Sequence, residues 1–342
     1  MFTDRSKADC SVWATTTQVL DPHLASLASR LPASTVYARQ PATVLKYSRA
    51  FAKWKNWAEK YQEIPVIPVT SSSLALYLQF LIDENSSIST IDAAYFGLKW
   101  AHKIADLPCP TDSPIPKLVW ESAHRQLKRN AVRRDPISSQ TIQKIIERYG
   151  SSESLLELRF ASMSTLLYTG MMRFDDLIRV RRSDLTFGPD YLKILIRSSK
   201  TDVCGEGQLV FISSTGNDRC PIDLLVHYLK VAHQWSLADS DLFLFRRILG
   251  SGPQAKLSNL NTPISYSQAR TILKRFLLEL GLDSSHLSLH SFRIGAATAA
   301  NANGVNAVDI KNHGRWKSDT ARNLYIRTPT NQKLSVSRNL GL

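Results

Sequence analysis

A chain of 342 residues is long enough for two domains with cores of their own. It is 43% hydrophobic and 21% charged, and it has no apolar run near the roughly 20 residues of a membrane span, so the reading is a soluble intracellular protein with no membrane partner. Lys and Arg outnumber Asp and Glu by 43 to 29, a net charge of +14 that favours a polyanionic partner. The first 134 residues carry 17 basic and 11 acidic side chains and the rest carry 26 and 18, so both halves are basic, as two domains gripping one nucleic acid would be. Cys10, Cys109, Cys204 and Cys220 include no CxxC pair, which argues against a zinc site or a disulfide framework. They read as reduced thiols. The start, MFTDRSKADCSVWATTTQ, lacks the apolar run of a signal peptide.

Residues 1–35 read as a flexible leader with one possible helix. Over 41–61, Tyr47, Phe51, Trp54 and Tyr61 recur at spacings of four, three and seven, and Pro41 suits a helix start. That aromatic stripe reads as core rather than as a platform for stacked bases. Further helices are expected near 71–84, capped by Thr70 or a following serine, and over 89–105 and 115–131. The basic run RQLKRNAVRRDP (125–136) then ends in proline and reads as a linker.

The second part opens with helices near 138–149 and 152–171. YLKILIRSS (191–199) alternates like a strand, GQLVFIS (207–213) is its partner, and KTDVCGE between them is a turn, which puts Lys200 at a hairpin tip. Helices return near 220–234 and 265–280. The small-residue-rich 290–303 suits close packing, and two short helices are expected at 305–313 and 319–326.

Breaking a phosphodiester without a metal needs a nucleophile, cations to neutralise the charge that builds on phosphorus, and a proton donor for the departing oxygen. Tyrosine, with a pKa near 10, becomes useful only when cations and donors surround the target phosphate. Arginine is the best clamp, because its planar fork spans two phosphate oxygens. The chain offers these parts in order: Arg173 in YTGMMRFDDL, Lys200 in IRSSKTD, His290 and Arg293 in LHSFRIGAAT, then Trp316 and Tyr325 in GRWKSDTARNLYIR. Singly, each has a bland reading: Arg173 as an ion-pair partner of Asp175, His290 as a satisfied helix-start histidine, Trp316 and Tyr325 as core. The ordered set argues against that.

The set resembles the tyrosine recombinases, the family of lambda integrase, Cre and XerD, whose hallmark order is Arg, Lys, His-x-x-Arg, His or Trp, then Tyr. Arg173 with Asp176 matches its Arg-x-x-Glu/Asp, and Trp316 stands nine residues before Tyr325, the family's interval. Two features depart from the pattern. Met171 and Met172 both stand between Gly170 and Arg173, and NHGRW replaces the usual LLGH; His313, twelve residues before Tyr325, is taken as a neighbour. SSKTD and HGRW are similar to transposon-encoded eukaryotic members, the Crypton and DIRS-like groups, which would make the protein nuclear if eukaryotic and otherwise cytoplasmic or nucleoid-associated.

The resemblance implies a mainly α fold with a small antiparallel sheet. It implies a helical core-binding domain (36–132), a linker (133–137) and a mixed α/β catalytic domain (138–342) ending in an oligomerisation segment, closing on DNA as a C-shaped clamp. It implies that Tyr325 attacks a scissile phosphate to give a 3′-phosphotyrosine, that Arg173 and Arg293 clamp the non-bridging oxygens, and that Lys200 protonates the leaving oxygen. His290 assists proton movement or donates to the phosphate, Trp316 donates its indole N–H, and Asp176 orients its neighbours. Neither metal nor ATP nor any other cofactor is needed. The partners implied are two sites on double-stranded DNA and a homo-tetramer, in mobile-element integration or excision. Lys99, Lys103, Arg125, Lys128, Arg129, Arg133, Arg134, Arg315 and Lys317 are expected to contact DNA. The alternatives are a relaxing enzyme like a type IB topoisomerase and a domesticated DNA-binding protein without catalysis.

Overall fold

The computed structural model describes residues 20–127, 134–199, 206–328 and 330–341, except for the side chains at 330–332 and 336. The chain divides into two compact units, Met1–Ala131 and Val132–Leu342.

The described part of the first unit is helical: α1 (Pro22–Tyr37), α2 (Pro41–Ala58), α3 (Ser71–Asp83), α4 (Ile88–Ile104) and α5 (Pro114–Gln126). Proline opens α1, α2 and α5, where its missing N–H is no loss. The Thr70 and Ser87 hydroxyls cap α3 and α4 by accepting the N–H of Ser73 and of Thr90. Of the expected aromatic stripe, Trp54 lies in the core, Tyr47 and Phe51 are half-buried, and Tyr61 falls beyond the end of α2. Trp54 is fully buried and donates its indole N–H to the Val66 carbonyl at 2.9 Å. Trp57, not part of the expected stripe, packs between Trp54 and Tyr77 with ring centres 5.5 and 5.0 Å away, while Tyr61 stays largely exposed. Burying one aromatic of this size contributes roughly 3 kcal/mol. His102 is buried too. The Val69 N–H donates to its Nε2 at 2.8 Å, so Nδ1 carries the ring proton and faces the Leu98 carbonyl at 2.9 Å. Asp92 accepts from Trp120 Nε1 and His124 Nε2, each at 2.8 Å, and so ties α4 to α5. Within the segment read as a leader, α1 forms from Pro22 onward, and none of its residues is buried.

The second unit is built around α7 (Leu155–Thr169), which is buried on almost every side and packs against α6 (Ser139–Tyr149), α9 (Pro221–Val231) and α11 (Ser291–Ala302). The short α8 (Phe174–Leu177) follows α7. A three-stranded antiparallel sheet has the order β1 (Leu185–Phe187), β2 (Tyr191–Ile196), β3 (Gln208–Ser213). Its register pairs Leu192 with Ile212 and Ile194 with Val210, so these side chains share the buried face with Ile196. The outer face shows Tyr191, Leu195, Leu209 and Phe211. A two-residue pair, β4 (Ile248–Leu249) and β5 (Lys256–Leu257), and α10 (Tyr266–Glu279) complete the shell. The chain ends in α12 (Ala307–Gly314), α13 (Asp319–Asn323) and α14 (Thr330–Arg338). Gly295 explains the small-residue face of α11: a Cβ there would lie 1.9 Å from the Ile137 carbonyl oxygen, so only glycine allows that approach. Among the described residues no helix is long and apolar enough to cross a membrane.

Candidate active site

Three chain segments of the second unit meet at one guanidinium. The first is the turn after α7, where Gly170 leads to Met171 at φ 43° and Arg173 occupies the position before α8. The second is the start of α11, which puts His290 just ahead of the helix and Arg293 one turn in. The third is the end of α12, where Arg315 takes the left-handed conformation at φ 58° and ψ 41°. Arg293 is fully buried and donates from Nη1 to the Met171 carbonyl and from Nη2 to the Gly314 carbonyl, so one side chain joins all three.

Two aromatic rings cover Arg293. Its guanidinium carbon lies 4.3 Å from the centre of the Trp316 ring and 5.1 Å from that of Tyr325. Those rings are 4.9 Å apart, and the His290 ring lies 5.0 Å from Tyr325. The Tyr325 backbone is held by Thr298, whose hydroxyl donates to the Tyr325 carbonyl at 3.3 Å and accepts the Arg327 N–H at 3.1 Å. His313 donates from Nε2 to the Thr169 carbonyl at 2.7 Å and pins the end of α12 to the end of α7. Gly314 admits the indole: a Cβ there would stand 1.9 Å from Trp316 Cζ3.

The electrostatics are those of an anion site. Arg173, Arg293 and Arg315 gather about one carboxylate, Asp176, which is 3% exposed and stands 3.6 Å from Arg173 and 3.4 Å from Arg315. Burial, then repulsion from Arg173 and Arg315, lowers the pKa of Arg293. The His290 pKa is held below the usual 6.5 by the protein mass against its ring, then by the Arg293, Arg173 and Arg327 charges. The neutral imidazole is therefore favoured at pH 7, although the residue as a whole is exposed. Arg173 Nη1, Arg293 Nε, Arg315 Nε and Nη1, and Trp316 Nε1 are buried donors that make no hydrogen bond among the described residues, Arg173 Nη1 having only the longer ion pair to Asp176. Such donors are costly alone and are satisfied by a group carrying several oxygens.

Five of the seven residues expected to act in catalysis, Arg173, His290, Arg293, Trp316 and Tyr325, thus come together, with Asp176 behind them. Lys200 lies outside the described residues. Just after β2, Arg197 Nε donates to Asp184 Oδ1 at 2.6 Å and Nη2 to Ser183 Oγ at 3.1 Å. Of the expected DNA contacts, Lys99 and Lys103 are exposed four residues apart on α4, and Arg125, Arg134 and Lys317 are exposed as well. Lys128, Arg129 and Arg133 lie outside the described residues. Arg315 is not on the surface: its side chain is 5% exposed and turned to Asp176. The positioning roles of Thr298, His313 and Gly314 had no local signal in the sequence.

Residues 151–332 match the family model described as the phage integrase family. An integrase/recombinase XerD homolog of Selenomonas ruminantium is 23% identical over 291 residues, which span 83% of this chain and 81% of that protein. Among solved structures, the XerH site-specific recombinase bound to a palindromic difH substrate superposes with a TM-score of 0.56 at 13% identity, over 86% of this chain and 79% of that one. The Tn1549 transposon integrase in complex with transposon right end DNA gives a TM-score of 0.56 at 15% identity, over 92% and 99%. A lambda integrase dimer bound to a COC′ core site gives 0.53 at 17%, over 84% and 89%. These structural likenesses are likenesses of fold. The chain belongs to the phage integrase family, the tyrosine site-specific recombinases.

Proposed function

We propose that this protein cleaves and rejoins duplex DNA through a covalent 3′-phosphotyrosine on Tyr325, without metal or ATP. The observation that carries the reading is the convergence of Arg173, His290, Arg293 and Trp316 around that tyrosine. In the forward step the Tyr325 oxygen forms a bond to phosphorus and gives up its proton, for which neutral His290 is the nearby acceptor. The bond to the 5′ oxygen breaks, and that oxygen takes a proton from Lys200 and leaves as a 5′-hydroxyl. Arg173 and Arg293 carry the negative charge that builds on the non-bridging oxygens, the kind of contact whose loss slows a reaction about 10²–10³-fold. The Trp316 indole adds one donor and cannot shuttle protons. Because Tyr325 lies over Arg293, its ring lifts from the stack as the phosphate enters. The energy of the broken bond is kept in the phosphotyrosine, so a 5′-hydroxyl from a second strand reverses the chemistry on a new partner.

The exposed cations of the first unit, Lys99, Lys103 and Arg125, are suited to backbone phosphates, contacts that position a duplex without reading its sequence. Exchange between two sites asks for a homo-tetramer, with Leu334, Val336 and Leu340 beyond Tyr325 as the apolar anchors of the segment that would join subunits. Mobile-element integration or excision is the setting proposed. The test is a duplex from the ends of the surrounding element, nicked near the scissile phosphate and incubated in EDTA beside Tyr325→Phe. A protein–DNA adduct on a denaturing gel that disappears in the variant supports the reading. Equal binding by both proteins with no adduct refutes it.

A further inference from the structure

Arg315 looks out of place. A left-handed residue after a helix is most often glycine or asparagine, because a side chain there costs on the order of 1 kcal/mol. Here the position holds a long cation whose side chain is buried, between the buried Gly314 and Trp316, although Lys317 and Ser318 just after them are exposed. Its Nη2 stands 3.4 Å from Asp176 Oδ2, the same oxygen that Arg173 Nη1 approaches to 3.6 Å. Side-chain exposure falls from 21% at Arg173 to 5% at Arg315 and 3% at Asp176. The outer arginine therefore reaches the solvent side and the other two stand behind it.

We infer that Arg315 is a positioning residue of the phosphate site, holding the Asp176 carboxylate so that Arg173 is oriented by it but not neutralised by it. Two effects follow from sharing one oxygen. The carboxylate is fixed from both sides, and so is the Arg173 guanidinium that leans on it. The trio also keeps one net positive charge, which an isolated Arg173–Asp176 pair would not have, and that charge is left for the anion. Burial lowers the Arg315 pKa, the Asp176 carboxylate works against that, and the Arg173 charge adds a smaller push downward. The left-handed backbone has a second use, since the same turn lays Trp316 over Gly314. An arginine is kept there because the turn must deliver both groups.

The inference rests on the strand-cleavage reading, and one experiment separates the two. Single-turnover cleavage of the nicked duplex is measured against DNA concentration for the wild type, Arg315→Met, Arg315→Lys, Arg315→Gly, Asp176→Asn and the Arg315→Met/Asp176→Asn double variant. Misplacing a clamp by about 1 Å costs on the order of 10²-fold in rate. The expected result is such a loss at saturating DNA in Arg315→Met, with the half-saturating concentration changed less than about twofold. Lysine should recover most of the rate, and the double variant should be no slower than its slower parent, because both substitutions break one unit. Glycine relieves the backbone while removing the whole side chain, so a folded, slow Arg315→Gly separates side chain from turn. Wild-type rates in both Arg315→Met and Arg315→Gly overturn the inference alone. So does a loss confined to DNA affinity with a shallower salt slope, which would make Arg315 a direct DNA contact. A wild type that forms no Tyr325-dependent adduct overturns the strand-cleavage reading and the inference with it.

Discussion

Gly314→Ala sets two physical effects against each other. Gly314 is the last residue of α12 and its φ is negative, so helix propensity alone expects alanine to stabilise by up to about 1 kcal/mol. The packing expects the reverse. The new Cβ would stand 1.9, 2.3 and 2.5 Å from three atoms of the Trp316 ring, whereas ordinary contact begins near 3.4 Å, so the indole must retreat by about 1.5 Å. It has little room, being 6% exposed and packed with Met171, Ala296, Ala297 and Ile310. Overpacking of this kind costs about 1–3 kcal/mol, which outweighs propensity. For a unit of this size that lowers Tm by roughly 2–4 °C per kcal/mol. Moving the indole also disturbs the ring over Arg293, so the cleavage rate should fall on the order of 10²-fold. The assay is thermal unfolding beside single-turnover cleavage of the nicked duplex. A Gly314→Ala protein as stable as wild type or more so, cleaving at the wild-type rate, would refute the packing argument.

Three further outcomes are expected. His290 accepts a proton only when neutral and its pKa is lowered, so the acid limb of the cleavage rate should lie below pH 6.5; a limb centred above 6.5 in a pH–rate profile would contradict the role given to this residue. Lys200→Ala should cleave ordinary DNA slowly and recover on a duplex with sulfur in place of the 5′ bridging oxygen, because a thiolate leaves without being protonated; equal slowness on both substrates would remove Lys200 as the proton donor. Asp92→Ala strips two indole and imidazole donors of their shared acceptor and should destabilise the first unit by about 1–3 kcal/mol, read in denaturant unfolding; an unchanged midpoint would show that the Asp92 link between α4 and α5 adds nothing.

How much was legible beforehand depended on how local the signal was. The α2 helix announced itself through its aromatic spacing, α3 through Thr70, and the β2–β3 hairpin through alternation on both sides of a turn. The order Arg173, His290, Arg293, Trp316, Tyr325 was legible because the chemistry fixes residue types that the chain must then bring together. Elements with little sequence of their own were not: β1 is three residues long, β4 and β5 are two each, and α1 runs on through Pro32. Arg315 reads in sequence as a surface cation, two residues before the exposed Lys317. Only the left-handed turn sends it inward, and a single backbone rotation leaves no periodic trace. The His313 bond to the Thr169 carbonyl spans 144 residues and has no local signature.

The most direct test of the central claim is to find the atom that holds the DNA. The adduct formed on the nicked duplex in EDTA is digested with protease and nuclease, and the modified peptide is sequenced by mass spectrometry. The account expects a nucleotide joined through its 3′-phosphate to Tyr325, with the other DNA fragment ending in a free 5′-hydroxyl. A nucleotide on any other residue, a linkage through a 5′-phosphate, or an adduct that forms only with a divalent metal would contradict it.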